Sequence, residues 1–280
     1  MAHNLEFVNG QASFYSLREP AWHGLGTVVN EEHTTSEVMD IAHLSGWDVR
    51  LEDVYLPDTY TSTKNAFMVV RNHPEDGHPD VLAIVGERYK TVQNEELFQF
   101  GDNIGDGARW ETAGSIKNGT VVFGSLAIDR ESVIDAKGVN DKIRSYLLVH
   151  TSHDGSLAIQ ASITPVRVVC QNTLNIAVGP RGKGAKQSFR IRHTQTVQGK
   201  VAAAREALGL AHTYLDSFDE MAKTLFEQKV ADDKFFDIIT AAYPKPEKDA
   251  KGALTKWENK VNLVNDLYFT SPTNANVKGT

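Results

Sequence analysis

The sequence predicts an α+β fold: a mainly antiparallel sheet with helices packed on one face, followed by a C-terminal helical segment. Three observations carry this. Strand-like runs are grouped together rather than alternating singly with helices. Asn118-Gly119 and Asp154-Gly155 stand between apolar runs, the residue pairs that tight hairpins favour. From residue 201 onward the apolar spacing is helical. Together they divide the chain into an α+β core over 1–193 and a helical region over 194–280.

Residues 1–33 read as irregular, with a turn-rich stretch Pro20-Ala21-Trp22-His23-Gly24-Leu25-Gly26. There Trp22 and His23 are expected to cover the sheet, with ring stacking on Trp22 the lesser reading. Thr35 or Ser36 caps a short helix with Val38, Ile41 and Leu44 on its apolar side, stopped at Gly46. Strands follow at 47–56, 66–71 and 81–92. Asn94 opens a second helix with Leu97, Phe98, Phe100 and Ile104 aligned, ended by Gly105 and Gly107. Two hairpins come next, 109–116 with 120–128 and 143–150 with 157–169. Residues 179–187 form a Gly/Lys/Arg loop without the terminal Gly-Lys-Ser/Thr of a phosphate-cradling loop. Val201, Ala204, Leu208, Ala211, Leu215, Phe218, Ala222 and Leu225 form a heptad seam. Such a seam must be covered, by the chain's own later helices or by a second copy. Helices over 233–242 and 254–268 flank a charged linker at 244–252.

Hydrophobic residues make up 41% of 280 and charged residues 23%, enough apolar material for a sizeable core. No run approaches the roughly 18 apolar residues of a membrane span, and Met1–Glu6 lacks a basic-then-apolar leader. The lone Cys170 forms no internal disulfide, which points to a reducing cytoplasm.

Charge is segregated. Residues 155–205 hold no Asp or Glu but eight basic residues, so the remainder carries −15 against the chain's net −7. Phosphate binding wants this density of cations without competing carboxylates. The candidate nucleic-acid contacts are Arg167, Arg181, Lys183, Lys186, Arg190 and Arg192. Strand alternation places Arg190 and Arg192 on one face and Phe189 and Ile191 on the other. The competing reading is a basic sheet edge protected against pairing, or internal salt bridges.

Other chemistry is weaker. Cys170 with His153 contains the ingredients of a thiol nucleophile and its base, but Val168-Val169-Cys170 reads as core, and a buried cysteine behaves as a small hydrophobe. Gln171 and Asn172 read as side chains that tie down backbone where the strand ends. The histidines, His73 and His78 among them, are dispersed without helical metal-ligand spacing. No catalytic residue, metal or cofactor is expected.

Several motifs resemble the phage/plasmid-like protein family, built on a domain of unknown function: the Pro20–Gly26 stretch, Val85-Gly86-Glu87-Arg88-Tyr89-Lys90-Thr91-Val92-Gln93-Asn94, Glu111-Thr112-Ala113-Gly114-Ser115, Thr151-Ser152-His153-Asp154-Gly155-Ser156, Thr164-Pro165-Val166-Arg167-Val168-Val169-Cys170-Gln171-Asn172-Thr173-Leu174, Ile191-Arg192-His193-Thr194 and Ala204-Arg205-Glu206-Ala207-Leu208-Gly209. The resemblance implies a mobile-element context and a longer protein that continues beyond Gly279-Thr280. Three strands followed by a helix is also similar to the core of single-strand annealing proteins, a fold-level analogy. The expected function is single-stranded DNA binding and annealing in recombination, by a homo-oligomeric ring or filament away from any membrane. The alternatives are a host-interaction or anti-defence protein, and a Cys/His-dependent enzyme.

Overall fold

A computed structural model describes residues 3–105, 108–134, 141–179, 188–191, 220, 224–225, 227–228, 231–247 and 252–270. The chain divides into two compact units, residues 1–131 with 144–214 and residues 132–143 with 215–280. The fold is α+β, with antiparallel pairing dominant, as the grouped strands predict.

The first unit opens with four strands: β1 (Phe7–Val8), β2 (Gln11–Ala12), β3 (Phe14–Leu17) and β4 (Thr27–Val29). Helix α1 (Thr35–Ile41) follows, then β5 (Arg50–Tyr55), β6 (Ser62–Asn72), β7 (Pro79–Gly86) and helix α2 (Asn94–Gly105). After these come β8 (Arg109–Ile116), β9 (Val121–Ile134), β10 (Asp141–Ser152), β11 (Ile159–Thr164), helix α3 (Gln171–Val178) and β12 (Ser188–Ile191). A seven-stranded sheet has the order β12-β11-β10-β9-β8-β3-β4, and a three-stranded sheet has the order β5-β6-β7. The reading of 1–33 as irregular is corrected here. β3 lies within the large sheet, antiparallel to β8 and parallel to β4, and all four of its residues are buried.

Helix α1 begins one residue earlier than expected, because Thr34 rather than Thr35 or Ser36 is the cap. Glu37 returns a carboxylate oxygen to the Thr34 N–H at 2.8 Å, completing a capping box. Those Thr34 hydrogen bonds, from its backbone and then its hydroxyl, hold the Glu37 pKa below its ordinary value. Thr35 instead accepts from the Trp110 indole N–H at 2.9 Å, and Asp102 of α2 accepts from the same N–H at 3.1 Å. Phe98 packs on Trp110 with ring centroids 4.7 Å apart. Only glycine fits at 124, because a Cβ there would lie 2.6 Å from the Trp110 ring. α1 and α2 therefore share the face of β8 and β9 that presents Trp110 and Gly124. The neighbouring Phe123 points the other way, into a cluster with Phe14, Ile116, Leu148, Val168 and Cys170. Helix α3 seals that cluster with Leu174 and Val178.

The two sheets of this unit are tied by one buried charged group. The Arg71 guanidinium on β6 contacts both Glu6 oxygens, donates to Asp80 Oδ2 at 2.9 and 3.0 Å, and stacks over Trp47 at 4.2 Å. Glu6 also accepts from the Ser115 hydroxyl at 2.6 Å. Arg71 is 1% exposed and Glu6 5%, so each charge depends on the other for compensation.

In the second unit, α4 (Asp232–Ala242) and α5 (Ala253–Thr270) fall within one or two residues of the helices expected there. Phe235, near the start of α4, stacks on Tyr268, near the end of α5, at 3.6 Å. The two helices therefore run antiparallel. The Trp257 indole donates to the Tyr243 carbonyl at 2.7 Å, and Lys260 lies over the Tyr243 ring at 4.0 Å. The heptad seam lies outside the described residues except for Leu225, which is exposed. No helix among the described residues is long and apolar enough to cross a membrane.

Candidate functional site

The segments Val85–Asn94 and Thr151–Ser156 converge in the first unit, and most of their polar side chains fasten backbone. The Gln93 amide accepts from the Val49 N–H at 2.9 Å and donates to its carbonyl at 2.7 Å. Asn94 donates to the Leu44 carbonyl at 2.9 Å, and its Oδ1 accepts from His153 Nε2 at 3.0 Å. His153 is fully buried, packs on Trp47, and donates its backbone N–H to Thr120 O at 2.8 Å. The Tyr89 hydroxyl donates to the Ser152 carbonyl at 3.2 Å. Burial, and then the nearby Asp154 carboxylate, raise the Tyr89 pKa well above that of a free phenol. Burial opposes the charge on Asp154 in turn, but hydrogen bonds from Ser156 and Ser152 more than offset it, and its pKa lies below the ordinary aspartate value. A neutral phenol thus stands beside an ionised carboxylate.

These clamps frame an open cleft of about 700 Å³, lined among others by Asn65, Ile84, Arg88, Tyr89, Asp154 and Gly155. Strand β7 is an edge of its sheet and runs into the cleft. Glu87, Arg88 and Lys90 are exposed where it ends. The same sheet and its β5–β6 loop carry large exposed side chains, Tyr55, Tyr60 at 83% and Ile84 at 60%. This surface was not singled out in the sequence, because Tyr55 and Ile84 within strand-like runs read as core and Tyr60 stands alone between two of them.

The predicted basic contacts separate. Arg167 is turned inward: its Nε lies 3.0 Å from Glu111 Oε1, and its Nη2 donates to Ser16 Oγ at 2.7 Å and to the Glu19 carbonyl at 2.9 Å. Its guanidinium braces β8, the β3 end and the Glu19 carbonyl. A β-bulge between Trp110 and Thr112 places Glu111 there, and no spacing in the sequence announces a bulge. Arg190 lies on β12, the edge strand of the seven-stranded sheet, opposite Gln160. Phe189 stacks on Phe100 of α2 at 6.3 Å. Arg181, Lys183, Lys186 and Arg192 lie outside the described residues.

Cys170 is fully buried and caps α3. Backbone fastening at this junction falls to Thr173, not to Gln171 and Asn172 as expected. Its hydroxyl accepts from the Val169 and Cys170 N–H groups at 2.9 and 3.0 Å. The Gln171 side chain donates to Asn175 Oδ1 at 2.8 Å. In the Pro20–Gly26 stretch, His23 does cover the sheet, lying edge-on to Phe14 with its Nε2 3.0 Å from the Val169 carbonyl. Trp22 does not, and is 66% exposed. The reading of the histidines as dispersed fails for His73 and His78, which the β6–β7 hairpin brings together with Asp76 into one group of potential metal-ligand atoms.

Fold and site thus define an α+β protein with an antiparallel-dominated sheet, polar clamps between its loops, and an open cleft at a sheet edge. Residues 81–280 match the family model described as a domain of unknown function (DUF932), and the chain belongs to that family. No curated protein and no solved structure matches it. The matched span begins within β7, so β3, which completes the sheet beside β8, lies outside it.

Proposed function

We propose that this protein binds single-stranded nucleic acid and acts without a catalytic residue, as an annealing protein carried by phages or plasmids. The observation that carries the reading is the β5-β6-β7 antiparallel meander leading into α2, with exposed Tyr55, Tyr60 and Ile84 and the Arg88 cleft on that unit. Exposed rings give sequence-tolerant platforms for bases, and adjacent cations hold the backbone. The acid-free segment 155–205 supplies further cations, with Arg190 on β12, the last strand in the sheet order. The mobile-element context is what the sequence motifs suggest, and assembly into a homo-oligomer would add affinity along a strand by linking weak sites.

The test is fluorescence polarisation of a labelled oligonucleotide at roughly 50 and 200 mM salt. Binding that weakens steeply with salt, and falls in Tyr60→Ala by about 1–3 kcal/mol, is expected. Absence of binding at the lower salt refutes the reading. It would favour the host-interaction alternative, for which the −15 outside the basic segment is the motive.

A further inference from the structure

We propose that the β6–β7 hairpin holds a binding site for a divalent transition-metal ion, with His73, Asp76 and His78 as its protein ligands. The site follows from the hairpin's register. Asn72 pairs with Pro79, so His73 and His78 are the next opposed positions, and the His73 N–H donates to the His78 carbonyl at 2.8 Å. Opposed residues on paired strands project to the same side, and the two imidazoles stand nearly parallel, 4.8 Å between centroids and 20° between planes.

The four residues between them return a carboxylate to the pair. Gly77, at φ +76°, takes the left-handed conformation the turn requires, and its N–H donates to the His73 carbonyl at 2.8 Å. Asp76 then points back along the loop. Its Oδ1 accepts from the His78 N–H at 3.1 Å, contacts His78 Nδ1, and lies 4.0 Å from His73 Nδ1. One ligand atom from each residue lies within 4.8 Å of the others.

Two ligand atoms bound at about 2.1 Å to a tetrahedral ion stand about 3.4 Å apart. His78 and Asp76 are both more than half exposed; ligation asks their side chains to part and His73 Nδ1 to exchange the bond it accepts from the Glu75 N–H, at 3.3 Å, for the ion. Two imidazoles and one carboxylate are borderline ligands. They suit Zn²⁺ and its neighbours rather than Mg²⁺ or Ca²⁺, which prefer oxygen. Three protein ligands leave a coordination position open. His73 and His78 also line a cavity of about 480 Å³ shared with His3, Glu6, Arg71 and Asp80, where a water or an outside donor has room. The three ligand residues precede the family-matched span, and the site is independent of the nucleic-acid reading.

The experiment is calorimetric titration of the metal-stripped full chain with Zn²⁺, alongside visible absorption on adding Co²⁺. One Zn²⁺ per chain with micromolar or tighter affinity, and d–d bands typical of low-coordinate cobalt, are expected. His73→Ala and His78→Ala each weaken binding by about tenfold or more. Asp76→Asn, which keeps the turn's acceptor while removing the charge, also weakens it. Replacing His193 and His212 together leaves it unchanged. Circular dichroism on each variant separates lost ligation from lost fold. Absence of micromolar Zn²⁺ binding, or binding indifferent to His73→Ala and His78→Ala in folded protein, overturns the proposal.

Discussion

Two turns of this molecule carry the same three residue types in different order, His153-Asp154-Gly155 between β10 and β11 and Asp76-Gly77-His78 between β6 and β7. In the first, the histidine is fully buried, bonded to Asn94 and packed on Trp47. Asp154 is absorbed in bonds to Ser156. In the second, histidine and aspartate are exposed and face each other and His73. The first turn sets His153 against α2 and the Trp47 segment, where a buried polar side chain must be satisfied by protein. In the second, Asp76 and His78 are more than half exposed and bond within the turn itself, to each other and to its backbone. Residue type gives the chemistry a turn could perform; burial decides whether that chemistry is already consumed.

The largest expected effect tests what anchors the exposed turn. Arg71→Met strands the Glu6 carboxylate in the interior, and breaking a buried pair costs about 3–5 kcal/mol. Urea unfolding measures it, and a loss below about 1 kcal/mol would mean that Glu6 finds water and the anchor is not buried as described.

A direct test follows. His153→Ala leaves Asn94 Oδ1 without its donor and should cost about 1–3 kcal/mol, whereas His78→Ala should change stability by no more than about 0.5 kcal/mol. Equal losses at the two positions would break the comparison.

The smallest effect concerns the phenol beside the buried turn. Tyr89 is held above the ordinary pKa of about 10 by burial and then Asp154, and Tyr15, in the sheet, is raised to about 12 by burial and then Glu111. A raised folded-state pKa contributes stability that is whole below the unfolded value of about 10 and is lost as pH rises toward the folded one. Urea midpoints should therefore fall between about pH 10 and about pH 12, and Tyr89→Phe should fall less steeply. An identical slope in that variant would show that Tyr89 ionises as freely folded as unfolded.

Much of the local structure was legible in the sequence because it depends on local physics. Asn94 at the start of α2, the Asn118-Gly119 and Asp154-Gly155 hairpins, and the last two helices follow from side-chain spacing and turn chemistry. The cap of α1 moved by one residue because Ser and Thr neighbours compete and Glu37 selects Thr34. Helix α3 was missed because it is only eight residues long, and the apolar residues Val166, Val168 and Val169 beyond Pro165 read as a continuation of the strand.

The sequence by itself determined the α+β class, the antiparallel hairpins and the segregated charge, since each rests on periods and residue types read within a few positions. Only the tertiary structure decided which residues are spent and which are free. β3 enters the sheet from a stretch with no clear period because β8 offers it an unpaired edge. A bulge turns Glu111 toward Arg167 and pairs the two. Strand register alone brings His73 opposite His78. Each of these depends on partners far away along the chain or across a turn, and the free energy of such contacts comes from burial and pairing that no local pattern encodes.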